Sequence, residues 1–300
     1  EAGRLGLTDY LGETFGLAYT GDALVAILAG KLASWAASIR GVCGPFDLSI
    51  VFLFAGAVVS GLFWKENKAV NTASSATDVE GGAADAKKKK KKSGIKEAFD
   101  IVRKDKKLML LGTVQSLFEA AMYVFILQWP NAISSAVSSF FGEGAVTPFG
   151  IIFSCFMTGS LLGSILFSKS IKSKNTMTET TATNMLGVSA ISMGLAAFFT
   201  AAKITPLGGI MGALLAYEAC VGMYFPAMGT LRSKYVPDDH KTVILSLFGI
   251  PLNTLVVIIY LSIKQLGMSG ALAVSSGALA IATGCMMKLR SISKKEAATA

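Results

Sequence analysis

Apolar residues in this chain gather into long runs instead of alternating with polar ones, and the runs are separated by short polar breaks. Eight such runs fall at roughly 15–37, 47–64, 108–129, 148–168, 182–202, 207–231, 243–263 and 268–287, each near the length of about 18 or more residues that a helix needs to cross a ~30 Å hydrocarbon core. The first is interrupted by Asp22 and Lys31. Between the second and third runs lies a polar insert whose centre, residues 71–94, is rich in Ala, Ser, Gly and Asp and then in lysine. Such a composition cannot bury a core, so the insert is expected to be largely disordered. The pattern predicts an all-α membrane protein, a bundle of transmembrane helices with no soluble domain.

Composition sharpens this picture. Charged residues make up 16% of the 300 positions and hydrophobic ones 52%, against about 25% charged in a typical soluble domain. Mean hydropathy is +0.57. The net charge of +9 would suggest nucleic acid were it spread over a folded surface. Instead it concentrates in the insert, where Lys87–Lys92 form an unbroken run of six. With no zinc-ligand spacing and no interleaved aromatics, that run points to anionic lipid and away from nucleic acid. If the insert is cytoplasmic, strict alternation of the eight spans places 24 of the 28 basic residues on its side, as the positive-inside rule requires. Both termini are then cytoplasmic, and the plasma membrane is the expected location. The four cysteines lie in or beside apolar runs without a metal or redox spacing. No metal or cofactor is expected, and no nucleophile–base pair suggests an enzyme.

Charged residues inside spans are costly and usually face a bundle interior. Glu119 lies about eleven residues into its span, or ~16 Å at 1.5 Å per residue, and Glu218 lies equally deep in a span of opposite direction. Either is a candidate for proton coupling or for a structural hydrogen bond between helices. Gln115 and Tyr123 flank Glu119 at i−4 and i+4, which predicts one polar stripe. Asp22 and Lys31 are nine residues apart, half a rotation of a helix, so they cannot pair directly. Lys31 is a candidate substrate cation or a lysine reaching the interface. Arg232, at a helix end and followed by Pro237, Asp238 and Asp239, is read as part of a gating ion pair. Pro226 removes a backbone donor within a span, a feature tolerated beside a cavity. Gly159 and Gly163 are spaced for close helix approach.

Two segments carry a resemblance. One runs Gln115-Ser-Leu-Phe-Glu119-Ala-Ala-Met-Tyr123-Val-Phe-Ile-Leu-Gln128-Trp129-Pro130. The other runs from Tyr217-Glu218 through Tyr224-Phe-Pro226 and Leu231-Arg232-Ser to Val236-Pro237, with Pro251-Leu-Asn253 following. Here the chain resembles the molybdate-anion transporter family of the major facilitator superfamily, in span order from about residue 8 to 290. The resemblance implies a major facilitator helical bundle with eight of an expected twelve transmembrane helices present, and transport of molybdate or a similar oxyanion by alternating access. The implied organisation is two last spans of an N-terminal half-bundle over 1–64, a basic cytoplasmic linker over 65–107, a six-span C-terminal half-bundle over 108–290 and a cytoplasmic tail over 291–300. The candidates for substrate or coupling are Glu119, Gln115, Tyr123, Glu218, Lys31 and Asn253. Those for gating are Asp22, Arg232 and Pro226. Protons are the candidate coupled partner. Another substrate, such as a sugar or organic anion, and a non-transporting membrane scaffold or sensor are the alternatives.

Overall fold

The computed structural model describes residues 11–64, 96–172, 177–202, 206–237 and 240–299. Helices α1 (Leu11–Arg40) and α2 (Gly44–Phe63) are joined by a short 3-10 turn, Gly41–Cys43. A short α3 covers 96–104, followed by α4 (Lys106–Phe141), α5 (Phe149–Lys172), α6 (Thr178–Ala201), α7 (Leu207–Tyr235) and α8 (Lys241–Thr299). The apolar stretches Gly12–Phe63 and Lys241–Glu296 contain 52 and 56 residues. At 1.5 Å per residue each is more than twice as long as one crossing of a ~30 Å core. Each is broken near its middle by a glycine with positive φ, Gly41 at 66° and Gly267 at 65°. A side chain there would press Cβ against the backbone, so glycine is the residue that lets the chain turn back. Eight passes result among the described residues, and the chain is a multi-pass integral membrane protein.

Ion pairs fix which helix ends share a face. Glu13 at the start of α1 meets Lys172 at the end of α5 at 2.8 Å. Lys107 at the start of α4 meets Glu296 near the end of α8 at 2.6 Å. Glu179 at the start of α6 meets Lys234 at the end of α7 at 2.6 Å. All belong to the side on which α4 begins, here termed the basic face. Arg40 and Asp47, 2.9 Å apart, mark the opposite face beside the Gly41 turn.

Helix α7 packs against α1, α4, α5 and α6. The first arm of α8 lies on α4, where Phe248 sits over Gly112 and its carbonyl accepts from Ser116 Oγ at 2.9 Å. The second arm lies on α6, through Ser269 to the Ala197 carbonyl and Ser276 to the Ala190 carbonyl, both 2.8 Å. Helix α1 runs along α5 through small residues, with Thr20 and Ser164 hydroxyls 3.0 Å apart. Helix α2 packs on α1 and turns Phe52, Leu53 and Phe54 outward, as a lipid-facing span does. Helices α5 and α7 touch backbone to backbone. A Cβ on Gly163 would lie 1.9 Å from the Ala219 carbonyl oxygen, and one on Gly222 would lie 1.9 Å from that of Ser160. Gly159 and Gly163 thus do what their spacing predicts in lipid, where dispersion and close approach bind helices together.

Three boundaries differ from the sequence reading. Helix α4 continues through Pro130 to Phe141, because Ala132, Ile133, Ala136 and Val137 prolong its buried stripe at helical spacing. Within the 65–107 insert, residues 96–104 are helical and Ala98 is wholly buried, with Ile101 and Val102 packed on the core. Helix α8 runs through the expected tail to Thr299. The lysine run and the remainder of the insert, residues 65–95, lie outside the described residues.

Candidate functional site

Helices α4 and α7 are antiparallel, and this decides how their polar residues meet. Side chains on a helix lean toward its N-terminus. Glu119 on α4 therefore leans toward the basic face, while Arg232, near that face on α7, leans into the bundle. The guanidinium bridges two acceptors on α4: Nη2 donates to Glu119 Oε1 and Nε to Gln115 Oε1, each at 3.1 Å. Tyr224, two turns before Arg232, donates its hydroxyl to the same Glu119 oxygen at 3.0 Å. Its ring stacks on Phe118 with centroids 3.9 Å apart. The Arg232 and Glu119 side chains are 25% and 16% exposed, so the pair is shielded yet reachable from one side. Removing one member of such a pair leaves the other charge without compensation in a low-dielectric setting, a cost of about 3 kcal/mol or more.

A second polar group faces a cavity of about 390 Å³ between α1, α4, α5 and α7. Asp22 and Tyr19 reach it from α1, and Glu218 and Phe225 from α7. Phe125 and Trp129 of α4 and Phe153, Phe156 and Ser160 of α5 supply much of the remaining wall. The aromatic residues interlock: Tyr19 stacks on Phe225 with centroids 5.4 Å apart, and Trp129 meets Phe156 edge-on at 5.2 Å. Glu218 is only 6% exposed and makes no hydrogen bond or ion pair among the described residues. No Lys, Arg or His lines the cavity among those residues.

The candidates thus divide into two groups and a remainder. Gln115, Glu119 and Arg232 come together in one network. Asp22 and Glu218 share the cavity. Lys31 is exposed and does not reach it, as the half-turn separation from Asp22 requires. Tyr123 is 44% exposed and stands outside the Glu119 network, because eight residues from Gln115 rotate a helix by about 80° and carry it off the stripe. Asn253 is exposed on the first arm of α8 and reaches neither group. Pro226 is buried in an unbroken α7, its carbonyl accepting from Thr230 Oγ1 at 2.9 Å. Asp238 and Asp239, the neighbours first associated with an Arg232 ion pair, lie outside the described residues. The sequence reading did not single out Tyr224 as a partner of Glu119, although its place eight residues before Arg232 on the same helix is the available signal. It also missed the Glu179 carboxylate, which accepts from both Lys234 and Tyr235 and ties α6 to α7.

A bundle of antiparallel apolar spans with an ion pair between two of them defines a multi-pass helical membrane protein. A family model described as sugar transporters, 12 TM, matches residues 3–225, and the chain belongs to that family, within the major facilitator superfamily. Relatives bear the name molybdate-anion transporter. The one from Takifugu rubripes is 28% identical over 297 residues, covering 94% of this chain and 59% of its own. That from Xenopus tropicalis is 29% identical over 258 residues, covering 82% and 50%, and that from Danio rerio 29% over 188 residues, covering 60% and 36%. The chain therefore spans about half the length of these relatives. No solved structure matches.

Proposed function

We propose that this chain belongs to a secondary transporter that moves molybdate or a similar oxyanion by alternating access, with the Arg232–Glu119–Gln115 network acting as a latch between α4 and α7. The observation that carries the reading is the guanidinium divided between two acceptors of one helix at 3.1 Å each. A fork of this kind can exchange a carboxylate for an oxyanion with little change of geometry, since both present oxygens to parallel N–H donors. Displacement of Glu119 would free α7 to move relative to α4. The relatives named as molybdate-anion transporters support the substrate, and the positive-inside distribution supports a cytoplasmic basic face.

Uptake of radiolabelled molybdate into vesicles carrying the protein, with sulfate as competitor, tests this. Saturable uptake that falls at least about tenfold in Arg232→Lys, which retains charge but not the fork, is the expected result. Saturable uptake with Arg232→Lys equal to wild type would remove the latch. A second reading is favoured by the aromatic, carboxylate-bearing wall of the cavity, which suits stacking on and hydrogen bonding to a sugar, and by the description of the matching family. Saturable glucose uptake with no molybdate uptake would establish that reading instead.

A further inference from the structure

The cavity between α1, α4, α5 and α7 has a chemistry opposite to that of an oxyanion site. We propose that it binds a monovalent organic cation of the quaternary ammonium class. Three observations converge on that ligand. First, the wall carries two carboxyl groups, Asp22 and Glu218, and no basic side chain among the described residues. Second, Glu218 is 94% buried, as its 6% exposure gives, and makes no hydrogen bond or ion pair among the described residues. Its carboxyl faces the cavity, so whatever fills the cavity is what compensates it. Asp22 makes no hydrogen bond with Glu218 among the described residues, and two ionised carboxylates repel. Third, the rest of the wall is largely apolar and includes the rings of Tyr19, Phe125, Trp129 and Phe225.

Ring faces attract a cation whose hydration is weak, and aromatic cages are the usual receptors for tetraalkyl ammonium groups. A bare metal ion fits poorly. Hard cations take about six or more oxygen ligands, whereas the polar wall comprises little beyond Asp22, Glu218, Tyr19 and Ser160, and no group of three metal-ligating side chains occurs among the described residues. The volume of about 390 Å³ lies within the range of about 300–1,000 Å³ typical of small-molecule sites. In such a site the ammonium head sits among the rings, with Glu218 supplying the counter-charge from α7 and Asp22 from α1. The ligand would bridge α1 to the α4–α7 pair.

The inference stands apart from the anion reading, and its test separates the two. Binding of choline and of its uncharged carbon isostere, dimethylbutanol, is measured by calorimetry on the whole protein in lipid nanodiscs, with molybdate uptake measured in parallel. Choline should bind and the isostere should bind at least about tenfold more weakly, since only the charge differs. Glu218→Gln, which keeps shape, and Trp129→Leu, which removes a ring without touching charge, should each weaken choline by about tenfold. Circular dichroism and a monodisperse elution profile confirm that each variant is folded. Choline and isostere binding alike, folded Glu218→Gln matching wild type, or no choline binding by folded wild type would each overturn the proposal. Displacement of choline by equimolar molybdate would also overturn it, by making the cavity an anion site. Choline binding without molybdate uptake sustains it and sinks the anion reading alone.

Discussion

Helices α4 and α7 carry two acids whose surroundings differ in kind. Glu119 is matched: a guanidinium and a phenol both donate to one of its oxygens. Glu218 is buried against aromatic rings with nothing donating to it among the described residues. The first carboxyl is held by the fold, whereas the second is held against the fold's interest. A protein interior tolerates the second arrangement where something else benefits from it, and strained or uncompensated groups gather at working sites for that reason. The comparison teaches that burial of an acid in a span says little by itself; what donates to it separates a tie from a receptor.

Replacing Arg232 should break the matched site most. Arg232→Leu strands Glu119 and Gln115 together, and the thermal midpoint in detergent should fall by an amount equivalent to about 3 kcal/mol. A shift within error would mean that the fork contributes nothing to holding α4 on α7. Next in size is Gly222→Ala. Its new Cβ would meet the Ser160 carbonyl at 1.9 Å, and backbone cannot step aside as a side chain tip can. Overpacking of this kind costs about 1–3 kcal/mol, and near-wild-type stability would show that α5 and α7 separate readily. Glu119→Gln retains an acceptor for Tyr224 and Arg232 but leaves the guanidinium without its counter-charge, so up to about 3 kcal/mol should go, less whatever the amide oxygen still supplies. Glu218→Gln sharpens the contrast by its sign: with no partner to lose, the variant should melt at or above the wild-type temperature. Destabilisation as large as that of Glu119→Gln would erase the distinction between the two acids. The smallest effect belongs to Tyr123→Phe, which should leave both stability and uptake unchanged because its hydroxyl serves neither site.

Much of the architecture was legible because lipid imposes so simple a rule. Every backbone group must be satisfied within its own helix, so runs of apolar residues map onto spans almost one to one. The reading slipped where a local signal and a longer stripe disagreed. The third apolar run closes at 129, yet the apolar positions from Ala132 to Val137 continue the buried face beyond Pro130, and tertiary packing outweighs a single lost hydrogen bond. In the insert, the lysine run obscured the i, i+3, i+4 spacing of Ala98, Ile101 and Val102, which places residues 96–104 on the core. The candidate site was legible only in part. Depth and polarity marked Glu119 and Glu218, but pairing is a property of two helices, and neither sequence segment states which neighbour it will face. The direction in which Arg232 leans could be deduced from antiparallel spans. The partner it would find could not.

The ion pairs and the glycine turns divide the bundle's two ends. At the basic face, Glu13–Lys172, Lys107–Glu296 and Lys234–Glu179 bind neighbouring helix ends, and the side chains of the first pair are 42% and 64% exposed. At the other face, the chain turns at Gly41 and Gly267 through backbone conformation, and a single exposed pair, Arg40–Asp47, flanks the first turn. Ionic strength therefore acts on the two ends unequally. Mobile ions screen exposed pairs over about 8 Å at physiological salt, so salt added on one side of the membrane softens the clasped end and leaves the turned end as stiff as before. The protein is in this sense a spring whose compliance answers more to the solution on one side than on the other.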